Sequence, residues 1–469
     1  MTVRSRSARL VTTCAVLLAS SGVAYAAAGD APTSTPDVFV PTVDADSLIE
    51  GGYDGTGTTV AIIDTGVADV PALDGVVVHQ VNISAAPGEG DQYGHGTFVA
   101  GLVHETAPGA KIVSIKLSDG TGAVDVTQVL AALSWVVAHK DEYSIDVVNL
   151  SFGNDSKQSA NSSPLNYAVQ KVWDSGIVVV ASAGNLGDQD GTITKPADDP
   201  LIVSAGASDD RGTTSRGDDT IPAVGSRGPT QDGLAKPDVV APGTRVVSLR
   251  APGSTADVSA PQARIGTDHF RGSGTSFAAP IVAGVVAVML DVDPGLDPDQ
   301  VKFGLRRTAA SIDGFPTASG KGTVRALKAV GMARNGRANI GVQRSSCNGN
   351  GLQAARGSAI VEVEAPVITA SGEVLTVDVP VLGTSTGEAV TSPLDAPDLG
   401  EGDSILEATD DFDVAEFCNP VNWDPATWNA SQWGASQWGA SHWGASQWGA
   451  SHWGASHWGS TQWWASQWG

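Results

Sequence analysis

The chain has 469 residues, a formal net charge of −24 and 41% apolar residues. That length suits one large domain with accessory segments, and the apolar share is enough to bury a sizeable core. The acidic excess argues against a nucleic-acid binder or an anionic-membrane binder, because both need basic patches.

In chain order, residues 1–26 read as a signal peptide. Arg4, Arg6 and Arg9 precede an apolar run over 10–19, and Ala24-Tyr25-Ala26 has the small-x-small form of a cleavage site. The run is too short for a membrane span, and no other stretch approaches about 18 uninterrupted apolar residues. The expectation is a secreted protein, extracellular or cell-wall associated, with no transmembrane anchor. A short N-terminal segment, residues 27–50, follows.

Residues 51–331 alternate compact apolar runs with amphipathic stretches. Strands are expected at 60–63, 112–115, 147–150, 177–181 and 202–205. Val126, Val129, Leu130, Leu133, Val136 and Val137 recur at helical spacing, as do Leu165, Ala168, Val169, Val172 and Trp173, with Gly176 as a stop. Apolar strands without alternation, separated by helices, predict an α/β fold with a mostly parallel sheet covered on both faces. Sites in such sheets form at the carboxyl ends of strands. A long helix is expected from near Ser276 until Asp293-Pro294-Gly295, and another after Asp297 as N-cap, ending near Thr308.

Residues 332–420 differ in composition. Positions 345–420 hold fourteen acidic residues and one basic residue, Arg356. Val361-Glu362-Val363-Glu364 and the run 374–379 alternate like half-exposed strands. Cys14 leaves with the signal, so Cys347 and Cys418 remain, and in an exported chain they most simply form one disulfide; two separate thiols are the other reading. The region is thus either a small disulfide-stapled β module or an acidic linker. Without a CxxC or HExxH pattern, zinc has no support.

Residues 421–469 repeat Ala-Ser-Gln/His-Trp-Gly, and eleven of the thirteen tryptophans stand from Trp423 onward. A period of five makes no apolar stripe on a helix and sends successive tryptophans to opposite faces of a strand. One reading is a multivalent stacking array for cell-wall or polysaccharide rings; the other is a flexible, self-associating tail.

Three residues sit where a side chain can be held for chemistry. Asp64 ends an apolar strand and can fix an imidazole tautomer. His95 lies between two glycines that admit close backbone approach. Ser276 opens a helix, where free N–H groups meet developing negative charge. A turn-capping Asp, a structural His and an N-capping Ser are the alternatives taken singly.

Val60-Ala61-Ile62-Ile63-Asp64-Thr65-Gly66, Gly94-His95-Gly96-Thr97-Phe98-Val99-Ala100-Gly101 and Gly274-Thr275-Ser276-Phe277-Ala278-Ala279-Pro280 resemble the three signature motifs of the subtilisin-like serine proteases. Val148-Asn149-Leu150-Ser151-Phe152-Gly153, Ala181-Ser182-Ala183-Gly184-Asn185, Ser226-Arg227-Gly228-Pro229 and Lys236-Pro237-Asp238-Val239-Val240-Ala241-Pro242-Gly243 fall between them in order. The resemblance implies a three-layer subtilisin-like fold and a serine endopeptidase acting on peptide or protein substrates. It assigns Asp64, His95 and Ser276 to the catalytic triad and Asn185 to the oxyanion hole. Gly120, Gly122, Ser151, Phe152 and Gly153 would line an extended substrate, and Leu186 would lie near the primary specificity pocket, favouring large apolar side chains before the cut. The chemistry needs no cofactor. Structural calcium is common in such proteins, and the acidic pairs at 188–190, 198–199 and 218–219 offer oxygens without a ligand spacing that assigns a site. Secreted members commonly carry a folding pro-domain; here only residues 27–50 lie between signal and catalytic segment. The rival function is a cell-surface or glycan-binding protein whose tail carries the main role.

Overall fold

The computed structural model describes residues 32–347 except 85, 87, 123 and 125, the two strands at 360–368 and 374–382, Cys418, and residues 467–468. The expected signal peptide, residues 1–26, and most of the repeat tail lie outside the described residues.

Seven strands form the central sheet: β1 (Thr59–Asp64), β2 (Val77–Asn82), β3 (Lys111–Lys116), β4 (Ile145–Leu150), β5 (Val178–Ser182), β6 (Val203–Ser208) and β7 (Val239–Pro242). Their order is β2-β3-β1-β4-β5-β6-β7, and every neighbouring pair is parallel. The expected strands at 60–63, 112–115, 147–150, 177–181 and 202–205 are β1 and β3 to β6. All of β1, β5, β6 and β7 is buried, as continuous apolar runs require when helices cover both faces. The edge strand β2 is half-exposed throughout and gives no such run.

The helices are α1 (Pro36–Thr42), α2 (Asp46–Glu50), α3 (His95–Thr106), α4 (Val126–Tyr143), α5 (Pro164–Asp174), α6 (Thr255–Ser259), α7 (Thr275–Val292), α8 (Pro298–Thr308) and α9 (Ala326–Ala333). Packing sorts them into layers: α3 and α7 lie together against the sheet, while α4 and α5 pack on each other and on β4 and β5. Helix α7 has a mean hydropathy of 1.9, apolar enough to cross a membrane by composition, yet Thr275 through Leu290 are all buried in the core. Its Pro280 is the sixth residue of the helix, one turn inside it rather than at the start, so the ladder lacks the N–H that would pair with the Ser276 carbonyl. Helix α8 begins with the expected Asp297 cap, completed by Gln300 into a reciprocal capping box. Helices α1 and α2 add Phe39, Val43 and Leu48 to the same core, and Ala326 N–H donates to Val43 O.

A second sheet joins β8 (Val246–Leu249), β9 (Arg264–Ile265), β10 (His269–Ser273) and β13 (Gln467–Trp468). Its strand β10 runs directly into the start of α7. Strands β11 (Ile360–Ile368) and β12 (Val374–Leu382) form an antiparallel pair, where alternation predicted strands at 361–364 and 374–379. Cys347 and Cys418 are joined in a disulfide, and the chain leading to it is tied to α5 by Ser345 N–H donating to Gln170 Oε1 at 2.7 Å.

One buried carboxyl is poorly served. Asp219 is 7% exposed; its Oδ2 accepts from Thr323 Oγ1 at 3.2 Å, while its Oδ1 has no hydrogen-bond donor among the described residues. Burial first, then the charges of Asp210 and Asp218, push this carboxyl up to about 6. The folded state therefore holds the proton more tightly than the unfolded chain, so stability falls as pH rises from about 4 through 6. Asp219→Asn is expected to stabilise the fold by about 2 kcal/mol at pH 8 and by little at pH 4. Urea unfolding at the two pH values checks this; an equal effect at both would contradict it.

Candidate active site

Because β3, β1, β4 and β5 are adjacent and parallel, their carboxyl ends lie side by side. Asp64 closes β1, the segment holding Gly120 and Gly122 follows β3, Ser151-Phe152-Gly153 follows β4, and Asn185 follows β5. Residues scattered over more than a hundred positions are thereby brought to one edge of the sheet.

Asp64 and His95 are both almost fully buried. His95 Nδ1 lies 2.9 Å from Asp64 Oδ1 and 3.1 Å from Oδ2. A carboxylate only accepts, so Nδ1 carries the proton and Nε2 is the basic nitrogen. Asp64 Oδ1 also accepts from Thr65 N–H at 2.8 Å. Burial pushes the Asp64 carboxyl above its ordinary range; the charge and hydrogen bond of His95, and then the Thr65 N–H, oppose that rise. The pair is thus a buried negative charge aimed at an imidazole, poised to stabilise the ring when it gains a second proton.

Local backbone makes the contact attainable. Gly94 precedes α3 at φ 105°, and a Cβ there would stand 2.4 Å from Ser254 Oγ. A Cβ on Gly96 would stand 2.1 Å from Gly66 O. No larger residue fits either position without moving backbone, so the glycines set how closely His95 approaches the end of β1.

The residue that organises this loop is Asp91. Its Oδ1 accepts from Thr65 Oγ1 at 2.9 Å, Tyr93 N–H at 3.1 Å and Gly94 N–H at 2.6 Å. Its Oδ2 accepts from Thr97 N–H at 2.8 Å and Thr97 Oγ1 at 2.6 Å. Thr65 Oγ1 in turn accepts from Gly96 N–H at 2.9 Å. A single buried carboxylate therefore ties the end of β1 to both sides of His95. Lys116, paired in register with Asp64, donates to Gly88 O, Gly90 O and Gln92 Oε1 and pins the preceding turn.

Ser276 is buried in the first turn of α7. The ring of the next residue, Phe277, lies 5.5 Å from the His95 ring and 4.4 Å from that of Phe98, centroid to centroid, so α3 and α7 meet at the site. Asn185 Oδ1 accepts from Thr275 N–H at 2.8 Å and Thr275 Oγ1 at 3.0 Å. With its oxygen held at the start of α7, the amide presents its NH2 as the donor end.

Ser151 and Phe152 have buried side chains, leaving backbone as what this segment offers a ligand. Phe152 O accepts from Ser182 Oγ at 3.4 Å. A Cβ on Gly153 would stand 2.3 Å from Thr194 Oγ1. Gly120 O accepts from Thr255 Oγ1 at 2.6 Å, and Gly122, at φ 77°, lies over the Tyr93 ring. In the sheet order these two segments stand either side of β1. Leu186 is 44% exposed, and its N–H donates to Ser226 Oγ at 3.0 Å.

Residues 55–339 match the sequence profile described as the Subtilase family (Peptidase_S8). The chain belongs to the subtilase family. Over 296 residues it is 36% identical to "Serine protease AprX" of Bacillus subtilis (strain 168), covering 59% of this chain and 66% of that protein. Over 284 residues it is 30% identical to "Subtilisin DY" of Bacillus licheniformis, covering 58% of this chain and 91% of the relative. A similar match, 30% over 296 residues, links it to "Subtilisin Savinase" of Lederbergia lenta, with 61% and 94% covered. By class this subtilase is a subtilisin-like serine endopeptidase.

Calcium fits poorly at the acidic pair 198–199 of this subtilase. Asp198 accepts from Lys195 Nζ at 2.6 Å and from Asn166 Nδ2 at 3.0 Å, and Gln231 also donates to it. Asp199 accepts from Asn166 Nδ2, Gln170 Nε2 and Leu201 N–H. An ammonium and amides already fill the coordination a cation would take. At the other two pairs, Asp190 accepts from Thr317 Oγ1 and Asp219 from Thr323 Oγ1. Among the described residues no three His, Cys, Asp or Glu side chains converge as a metal site.

Asp91 and Lys116 are the functional residues that sequence reasoning missed. The signal for Asp91 lay in its place, three residues before a positive-φ glycine and four before His95, where a short carboxylate reaches successive N–H groups.

Proposed function

We propose that this subtilase is an exported endopeptidase that cleaves peptide bonds through an acyl-enzyme on Ser276. The observation that carries the reading is the buried Asp64–His95 hydrogen bond at the end of β1, set against the start of α7 where Ser276 stands. Ser276 Oγ attacks the scissile carbonyl carbon as His95 Nε2 takes its proton, and Asp64 steadies the imidazolium. The resulting oxyanion accepts from Ser276 N–H and the Asn185 NH2, both anchored at the α7 start. Collapse breaks the C–N bond while His95 returns the proton to the leaving amine. Water then attacks the acyl-enzyme with His95 again as base, releasing the acid and restoring Ser276.

The extended acyl half of the substrate is held as an added strand between the Gly120–Gly122 and Ser151–Gly153 backbones. The partly exposed Leu186 beside Asn185 supports an apolar primary pocket. Residues 1–26 support export, and the Cys347–Cys418 disulfide suits an oxidising compartment. A library of internally quenched peptides, digested by the full chain and read by mass spectrometry, tests the reading. Internal cleavage after large apolar residues is the expected result. Cleavage dominated by Lys or Arg at that position would overturn the pocket assignment, and no internal cleavage would overturn the endopeptidase.

A further inference from the structure

The feature the proteolytic reading leaves unused is the tryptophan repeat, and its last two residues in strand form are placed beside the nucleophile. Strand β13 pairs antiparallel with β10, with Ser273 opposite Gln467 and Gly272 opposite Trp468. Ser273 ends β10 three residues before Ser276, with Gly274 alone between the strand and helix α7. On its other side β10 pairs with β8, Gly272 facing Val246. Gly272 is therefore paired on both sides, and β13 lies on the side that β9 covers at His269 and Phe270. Where β9 stops, β13 continues the cover up to the residue before Gly274.

The polarity is informative. Strand β10 runs toward Ser276, so β13 runs away from it, with Gln467 nearer the nucleophile and Trp468 farther. The leaving half of a substrate has that direction, because its chain departs from the scissile bond at Ser276 from N- to C-terminus. The contact uses backbone groups, so its demand on sequence is an extended chain without proline at the pairing positions. The unit Ser-Gln-Trp-Gly recurs at 431–434, 436–439, 446–449 and 466–469. Tethered copies of one weak ligand act at an effective concentration in the millimolar range.

We propose that the β10 edge at Gly272–Ser273 is a strand-accepting site whose occupant is the chain's own Ser-Gln-Trp-Gly repeat, which competes with the leaving half of protein substrates. The proposal rests on Ser276 being the nucleophile of a peptidase. Two substrates separate the questions. A peptide nitroanilide has no chain beyond its scissile bond and does not reach the β10 edge; an internally quenched peptide with four residues beyond the bond does.

The test compares the full chain with a full-length variant whose residues 423–469 are exchanged for a Gly-Ser-Pro repeat of equal length, whose prolines deny the backbone pairing that β13 makes. For the extended peptide the variant is expected to show KM lowered about 3- to 10-fold with kcat unchanged. For the nitroanilide both constants should match. Adding the peptide Ala-Ser-Gln-Trp-Gly at millimolar concentration should raise KM of the variant for the extended substrate competitively, and Ala-Ser-Pro-Trp-Gly should not. Equal KM ratios for the two substrates in both chains, or equal inhibition by the two peptides, would overturn the proposal. Activity on neither substrate in either chain would instead overturn the peptidase reading beneath it.

Discussion

Replacing Ser276 by alanine is expected to lower kcat on a peptide nitroanilide by on the order of 10⁶-fold, the scale reached when the nucleophile of such a triad is removed. The hydroxyl forms the covalent bond on which the route depends, and neither His95 nor Asn185 can replace it. What remains is stabilisation by oxyanion donors and by binding, worth roughly 10³–10⁴-fold over water. The fold should be spared. Ser276 is in the first turn of α7, where alanine is a good helix former, and its loss leaves the Asn185–Thr275 contacts in place. Thermal unfolding should shift little. A variant that hydrolyses at the parent rate would show that another group makes the attack.

Asp64→Asn is expected to cost about 10⁴-fold in kcat with KM nearly unchanged. The substitution is isosteric, so packing around β1 survives. An amide oxygen can still accept from Thr65 N–H, as Asp64 Oδ1 does at 2.8 Å. The NH2 then faces His95 Nδ1, which must accept rather than donate. The ring proton moves to Nε2, and the nitrogen needed as base is lost. The buried negative charge that stabilises the imidazolium disappears as well. Kinetics at pH 8, with circular dichroism showing the fold unchanged, measure the effect. A loss below tenfold would mean that Asp64 merely caps the strand.

How much of this was legible in the sequence depended on the length and burial of each element. β1 and β3 to β6 are runs of buried apolar residues, and such runs announce themselves. The four-residue β7 and β8 are too short to carry a period, and half-exposed β2 presents neither a run nor a clean alternation. Helices α1 and α2 were invisible for the same reason, since seven and five residues cannot establish a 3.6-residue repeat. Asp64, His95 and Ser276 stood out because each adjoins glycine or a helix start within its own short motif. Asp91 did not, because three of its five donors are backbone N–H groups, which leave no mark on side-chain pattern. The β13 pairing was hidden likewise: a period of five gives no consistent strand face, yet a backbone ladder requires none.

The central claim is that Asp64, His95 and Ser276 work as one unit, and the direct measurement is the kcat of His95→Ala, Ser276→Ala and the double variant on one nitroanilide. A unit is lost once. The double variant should therefore be no slower than Ser276→Ala alone, within about threefold, because a base without its nucleophile does nothing. Losses that multiply across the two substitutions would contradict the account, since they would mean that His95 and Ser276 contribute independently.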